Sequence, residues 1–172
     1  MKYSVIGNIV ALIASLMMVY TGFLKNKKKI IFLQTIQILL YTIGNFLLNS
    51  IPGAIINILN CIRNILCYKN KLGIKEKIII TLLSIVLTLK FNNLGIIGFL
   101  PGIISISYIW LMTTKDVIKF KILIITTTIL WLIHDMYIGL YTSATFDLAS
   151  IIANFISIYH IKSKKISGGK ND

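Results

Sequence analysis

A chain of 172 residues that is 56% hydrophobic and 13% charged, with a mean hydropathy of +0.85, is not a soluble domain, which carries about 25% charged residues. Its net charge of +13 would point to nucleic acid in a soluble protein. Here the lysines sit at the ends of apolar blocks, where they orient helices and meet anionic headgroups, so composition predicts an integral membrane protein and argues against a nucleic-acid partner.

The first block, Tyr3 to Leu24, is longer than the ~7–15-residue core of a signal peptide. It runs into Lys25, Lys27, Lys28 and Lys29 rather than a small-residue cleavage site, so it is expected to stay as a helix. The blocks that follow are Ile30–Asn49, Pro52–Tyr68, Ile78–Leu89, Leu94–Met112, Ile122–Leu140 and Thr145–Ile161. Most approach the ~20 residues needed to cross a bilayer core. The block between Lys77 and Lys90 is short, and it spans only if the lysine stems snorkel or the helix runs on through Phe91 and Leu94.

Charge decides that span. Lysines follow the first block, the third (Lys69, Lys71, Lys75, Lys77), the fifth (Lys115, Lys119, Lys121) and the last (Lys162, Lys164, Lys165, Lys170), and none follows the second or sixth. If the fourth block crosses, every cluster lies on the cytoplasmic side. The expected topology is seven spans, N-terminus outside and C-terminus cytoplasmic.

The second half also echoes the first. Tyr41, Asn45, Asn57, Asn60 and Asn64 lie 90 residues before Trp131, Asp135, Asp147, Ser150 and Asn154. Polar residues are scarce and costly in apolar segments, so their coincidence at one offset carries weight. The fold class expected is an all-α membrane protein whose seven helices form two parallel three-helix repeats joined by a linker helix. In residues, 3–68 is the first repeat, 78–93 the linker, 94–161 the second repeat and 162–172 a cytoplasmic tail, all within one membrane domain, 1–172. This plan resembles that of the SWEET sugar facilitators and of PQ-loop-type and nicotinamide-riboside-type transporters, in which parallel repeats enclose the site.

Asn57, Asn60 and Asn64 share one face of the third helix, and Asp147, Ser150 and Asn154 repeat the spacing on the seventh. Such faces should point into the bundle or a wet cavity. About a twofold axis, Asn64 would face Asn154 and Tyr41 would pair with Trp131, with Asn60 and Asp147 above them. These six residues are the candidate substrate-binding set. Two amides and two aromatics suit a small neutral, hydroxyl-rich or ring-containing solute. The competing reading is that the same amides only hold helices together. Gln34, Gln37 and Asn45 add polar groups to the second helix.

Gly7, Ala11 and Ala14 match Gly98, Gly102 and Ser105 as small-residue packing faces. Pro101, inside the fifth block, should kink it and could act as a hinge. Arg63, the only arginine, is expected to snorkel toward Lys69 or to pair with an acid or a solute anion. His134 and Asp135 point about 100° apart on a helix, so they are expected to be solvated at headgroup level; with Asp147 they could form a proton relay. Cys61 and Cys67, about 9 Å apart along one helix by its rise, read as packing residues. No cofactor or metal site is expected. Nothing supplies nucleophile, base and orienting group together, so an enzyme is not expected.

Gly53-Ala54, Leu59-Asn60 and Ile62-Arg63, then Leu100-Pro101, Trp131, Ile133-His134, Gly139 and Asn154, resemble in order and spacing the landmarks of the YgjV family of bacterial inner membrane proteins. Asp135 stands where that pattern has an amide. The resemblance implies a bacterial cytoplasmic-membrane protein and leaves the substrate and oligomeric state open, a homo-oligomer included. The expectation is a small-solute transporter or facilitator. The alternative is a non-transporting structural or interaction protein whose polar residues only pack helices.

Overall fold

A computed structural model describes residues 2–47, 51–92, 94–137 and 141–168, with side chains described for most of them. The predicted block ends at Asn49 and Leu140, the linker end at 93, Gly139, and the tail residues 169–172 lie outside the described residues.

The helices are α1 (Lys2–Phe23), α2 (Lys27–Leu47), α3 (Ile51–Tyr68), α4 (Ile74–Phe91), α5 (Leu100–Leu111), α6 (Val117–Tyr137) and α7 (Tyr141–Gly168), with a 3-10 turn at Ile97–Phe99 before α5. No strand is present among the described residues. A backbone surrounded by lipid must satisfy its hydrogen bonds within the segment, and helices do so despite the abundance of β-branched isoleucine. By length and composition, Lys27–Leu47, Val117–Tyr137 and Ser143–Ser163 are apolar enough to cross a membrane; Ile9–Phe23, Gly53–Tyr68 and Ile97–Leu111 are shorter apolar helices.

The helix ends are set locally. Asn26 Oδ1 accepts the Lys29 amide at 3.2 Å to start α2, and Asp116 Oδ1 accepts the Ile118 amide at 2.8 Å to start α6. At the end of α3, Asn70 takes a left-handed φ of 55°. The Asn70 amide then bonds Cys67 O at 3.0 Å and the Lys71 amide bonds Leu66 O at 2.8 Å, the paired bonds of a Schellman ending that asparagine tolerates. Several expectations differ at helix ends: α4 starts at Ile74 and α6 at Val117, before the expected Ile78 and Ile122. The predicted tail from residue 162 continues α7 as far as Gly168. Pro101 falls in the first turn of α5 and does not kink a helix interior. The preceding 3-10 turn ends there, and a first-turn proline has no intrahelical bond to lose.

Packing is inverted relative to a soluble protein. Large apolar side chains such as Ile9, Leu16, Leu82 and Ile152 face outward, while Asn57, Asn60, Asn64, Asp147, Ser150 and Asn154 are all buried. The two polar stripes therefore point into the bundle, as their spacing predicts. In order of contact the helices close a ring, α1 to α2, α3, α5, α6, α7 and back to α1, and α4 lies against α3 and α5.

Close approach explains some of the small residues. A Cβ on Gly44 of α2 would meet Gly7 O at 3.3 Å and the Ala11 Cβ at 3.8 Å, so the first small-residue face packs on α2. A Cβ on Gly102 would meet Thr88 Oγ1 at 2.3 Å. The second small face therefore serves α4.

The lysine-rich connections meet at one end. Lys27 Nζ donates to Thr114 O, and Lys77 Nζ donates to Thr113 Oγ1 at 2.9 Å. Just inside that end lies the apolar core, where Ile30, Ile31, Leu72, Ile80, Ile109, Met112, Phe120 and Leu123 close the ring. Cys61 and Cys67 are free thiols; Cys61 is buried and Cys67 packs against this core.

Candidate functional site

Above the core, the ring encloses a cavity of about 250 Å³. Every ring helix contributes to its wall and α4 does not. The wall is polar for a membrane interior. Ser15, Gln34, Gln37, Tyr41, Asn45, Asn57, Asn60, Arg63, Thr127, Thr128, Asp135 and Asp147 all line it, interspersed with Ile38, Ile104, Tyr108, Ile124 and Trp131. Tyr108 and Ile124 also belong to the core, so they form the boundary between the two regions.

Of the six predicted site residues, Tyr41, Trp131, Asn60 and Asp147 line the cavity. Asn64 and Asn154 stand behind its wall, and each holds a cation. Asn64 Oδ1 accepts Arg63 Nε at 3.2 Å and NH2 at 3.0 Å. Asn154 Oδ1 accepts Lys121 Nζ at 3.3 Å, while its own amide returns to Ser150 O at 2.9 Å. The spacing argument places both asparagines inward but cannot assign what their amides contact. Tyr41 is fixed at the cavity by its hydroxyl, 2.7 Å from Ser15 Oγ.

Arg63 does not snorkel toward Lys69. Its side chain is 3% exposed and folds along α3, with NH1 donating to Asn60 Oδ1 at 2.9 Å. The Tyr108 ring lies 4.5 Å from the guanidinium carbon, and Tyr108 OH donates to Gln34 Oε1 at 2.8 Å. Acceptors one residue along the helix and one turn back outcompete the route to the headgroups. Asn60 Oδ1 also accepts Ser105 Oγ at 2.8 Å, tying α3 to α5.

His134 and Asp135 are likewise buried instead of solvated. His134 Nδ1 sits 3.0 Å from Asp135 Oδ1, and the Trp131 ring packs edge-on to the imidazole at 5.3 Å. A 100° offset on a narrow helix still lets two such side chains fold together beside a polar cavity. Asp147 is 2% exposed and its Oδ2 has no partner. Gln37 Oε1 is unpartnered too. A buried acceptor without a donor is costly in a bilayer interior, so both mark places where something from the cavity would bind.

Lys121 is the other buried cation. It is fully buried, with Nζ 2.7 Å from Gly22 O near the end of α1. No basic residue of α1 occupies its last turn; Lys121 reaches across from α6 to the unpaired carbonyls there, the site a helix dipole favours for a positive charge. Among the described residues no group of His, Cys, Asp and Glu could hold a metal.

The chain matches the Imp-YgjV family, described as a bacterial inner membrane protein, over residues 5–165. No curated protein matches it, and no solved structure does. An all-helical chain with helices long and apolar enough to span, matched over nearly its whole length, belongs to the Imp-YgjV family of bacterial inner membrane proteins.

Proposed function

We propose that this protein is a small-solute transporter or facilitator of the bacterial inner membrane, with its binding site in the ring cavity. The observation that carries the reading is the cavity itself. It is a polar chamber of about 250 Å³ inside a bundle whose outer face is apolar. Amides used only as glue would find partners on neighbouring helices and leave no room between them.

In this reading all seven helices cross the bilayer as two parallel three-helix repeats, with α4 as the linker. Support comes from the ring order, which is unchanged when α1, α2 and α3 are exchanged for α5, α6 and α7. Support also comes from the meeting of the lysine-bearing connections at one end, which the positive-inside rule would make cytoplasmic. The apolar core then closes the cytoplasmic side, and the cavity reaches toward the outer helix ends through Ser143 and Asp135. Transport would require the core to part. A non-transporting structural role is the second reading, favoured by Asn64 and Asn154, whose oxygens are spent on buried cations.

Thiol accessibility separates the two. In a Cys61→Ser/Cys67→Ser background, Asn57→Cys and Thr128→Cys should react with an impermeant thiol reagent applied from the outer face, and Asn154→Cys should not. Protection of both cavity positions from either face would refute the transport reading.

A further inference from the structure

The cavity wall carries a cation and a carboxyl group, each with hydrogen-bonding capacity left over, and together they identify the kind of solute that would fill it. At the end near the core, Arg63 keeps five N–H donors, of which three go to the neutral oxygens of Asn60 and Asn64. Its nearest titratable neighbours are the Tyr108 phenol and the Cys61 and Cys67 thiols, and no carboxylate. The acids in the sequence are Glu76, Asp116, Asp135, Asp147 and Asp172. Glu76 lies in the first turn of α4 and Asp116 before α6, both toward the lysine end. Asp172 lies outside the described residues. Asp135 is paired with His134. Amide oxygens and a ring face solvate a guanidinium but do not neutralise it, and a buried cation without a counter-charge is a standing cost.

At the outer end the imbalance reverses. Asp147, 2% exposed, has a free Oδ2 on the cavity wall, and Gln37 Oε1, one turn along α2 from Gln34, is a second free acceptor between Arg63 and Asp147. Asn57, which the repeat matches with Asp147, lies six residues before Arg63, so the two charged positions are offset by about 9 Å along the bundle by helical rise. Tyr41, which lines the same wall, lies at the outer end in reach of Asp147 and Asp135.

We propose that the solute is a zwitterion, its carboxylate taken by the two spare N–H groups of Arg63 and its ammonium by Asp147 Oδ2 and Gln37 Oε1. This rests on the transport reading and deepens it. Such a solute is neutral overall, yet its carboxylate answers the Arg63 charge while its ammonium supplies the donor that Asp147 lacks. A neutral polyol would leave the Arg63 charge unmatched. A simple carboxylate would answer only Arg63, and a simple amine only Asp147.

The test is binding to purified full-length protein in nanodiscs, read by thermal shift and calorimetry. The probes are glycine, β-alanine, γ-aminobutyrate and longer homologues, each beside the carboxylate and the amine that lack the other group. At least one zwitterion should bind and should exceed both of its single-charge counterparts. Arg63→Gln should weaken it by about 100-fold or more, the loss expected when one partner of a buried charged hydrogen bond is removed. Arg63→Lys should recover part of that loss, and Asp147→Asn should bring the zwitterion down to the level of the simple carboxylate. Because Arg63→Gln could fail to fold, Asp147→Asn stands as an independent arm on another helix. A preference for polyols or single-charge solutes, or zwitterion binding unchanged in both variants, would overturn the proposal. Polyol binding combined with a labelled cavity would do so while leaving the transport reading standing.

Discussion

Two cations are buried in this bundle, and they are held in opposite ways. Lys121 is sealed between the end of α1 and Asn154 of α7, with Gly22 O at 2.7 Å and Asn154 Oδ1 at 3.3 Å. Arg63 is held by Asn60 and Asn64 of its own helix, yet its guanidinium lines the cavity with N–H groups to spare. Asn64 and Asn154, two asparagines 90 residues apart in the sequence, each serve one of them. Matched sequence positions have thus been put to unmatched uses: one cation joins helices, the other is presented to whatever enters the chamber. A buried charge becomes informative about function when its donors outnumber its acceptors and the surplus faces open space.

Variants at the two cations sharpen this contrast most. Arg63→Gln should weaken solute binding by about 3 kcal/mol, within the 2–5 kcal/mol range for truncating a buried charged partner. Lys121→Met should leave the affinity within a few-fold but lower thermal stability, because Gly22 O and Asn154 Oδ1 are left without a donor, a loss of about 1–3 kcal/mol. Calorimetry beside a melting curve on each variant reads both quantities. Equal effects on binding and stability from the two would erase the distinction.

The α1–α7 seam that Lys121 closes gives the next effect. A Cβ on Gly22 would meet the Ala153 Cβ at 2.8 Å. Gly22→Ala should therefore cost about 1–3 kcal/mol by overpacking, measurable as a lower melting temperature. Gly44→Ala has a nearest contact of 3.3 Å to Gly7 O, so it should cost less. The smallest effect belongs to Pro101. Since it sits in the first turn of α5, Pro101→Ala should change stability by about 0.5 kcal/mol or less, as expected away from any named defect mechanism. A large loss would restore the hinge.

How far the sequence reaches can be followed residue by residue. Helix positions were legible to within about a turn because apolar blocks end at lysines, although α4 and α6 start at Ile74 and Val117, before the expected Ile78 and Ile122. The inward direction of Asn57, Asn60, Asn64, Asp147, Ser150 and Asn154 was legible from helical period and the cost of polar groups in lipid. What each amide touches was not, because that depends on which neighbouring helix arrives. Lys121 read as one more lysine of a cytoplasmic cluster, and only tertiary contact brings it to Gly22. Arg63 read as a snorkelling side chain because its distance to Lys69 allows it, although Asn60 and Asn64 at i−3 and i+1 were visible as local acceptors. The pairing of His134 with Asp135 carried a signal that angular reasoning set aside: two ionisable neighbours in an apolar block, one of them matched to Asn45 by the repeat.

The most direct measurement is counterflow in proteoliposomes, with vesicles preloaded with an unlabelled zwitterion that binds and the labelled form outside. The account predicts uptake above that of protein-free vesicles, lost in Arg63→Gln and kept in Lys121→Met. Binding without counterflow, or uptake that is equal in the two variants, would contradict it.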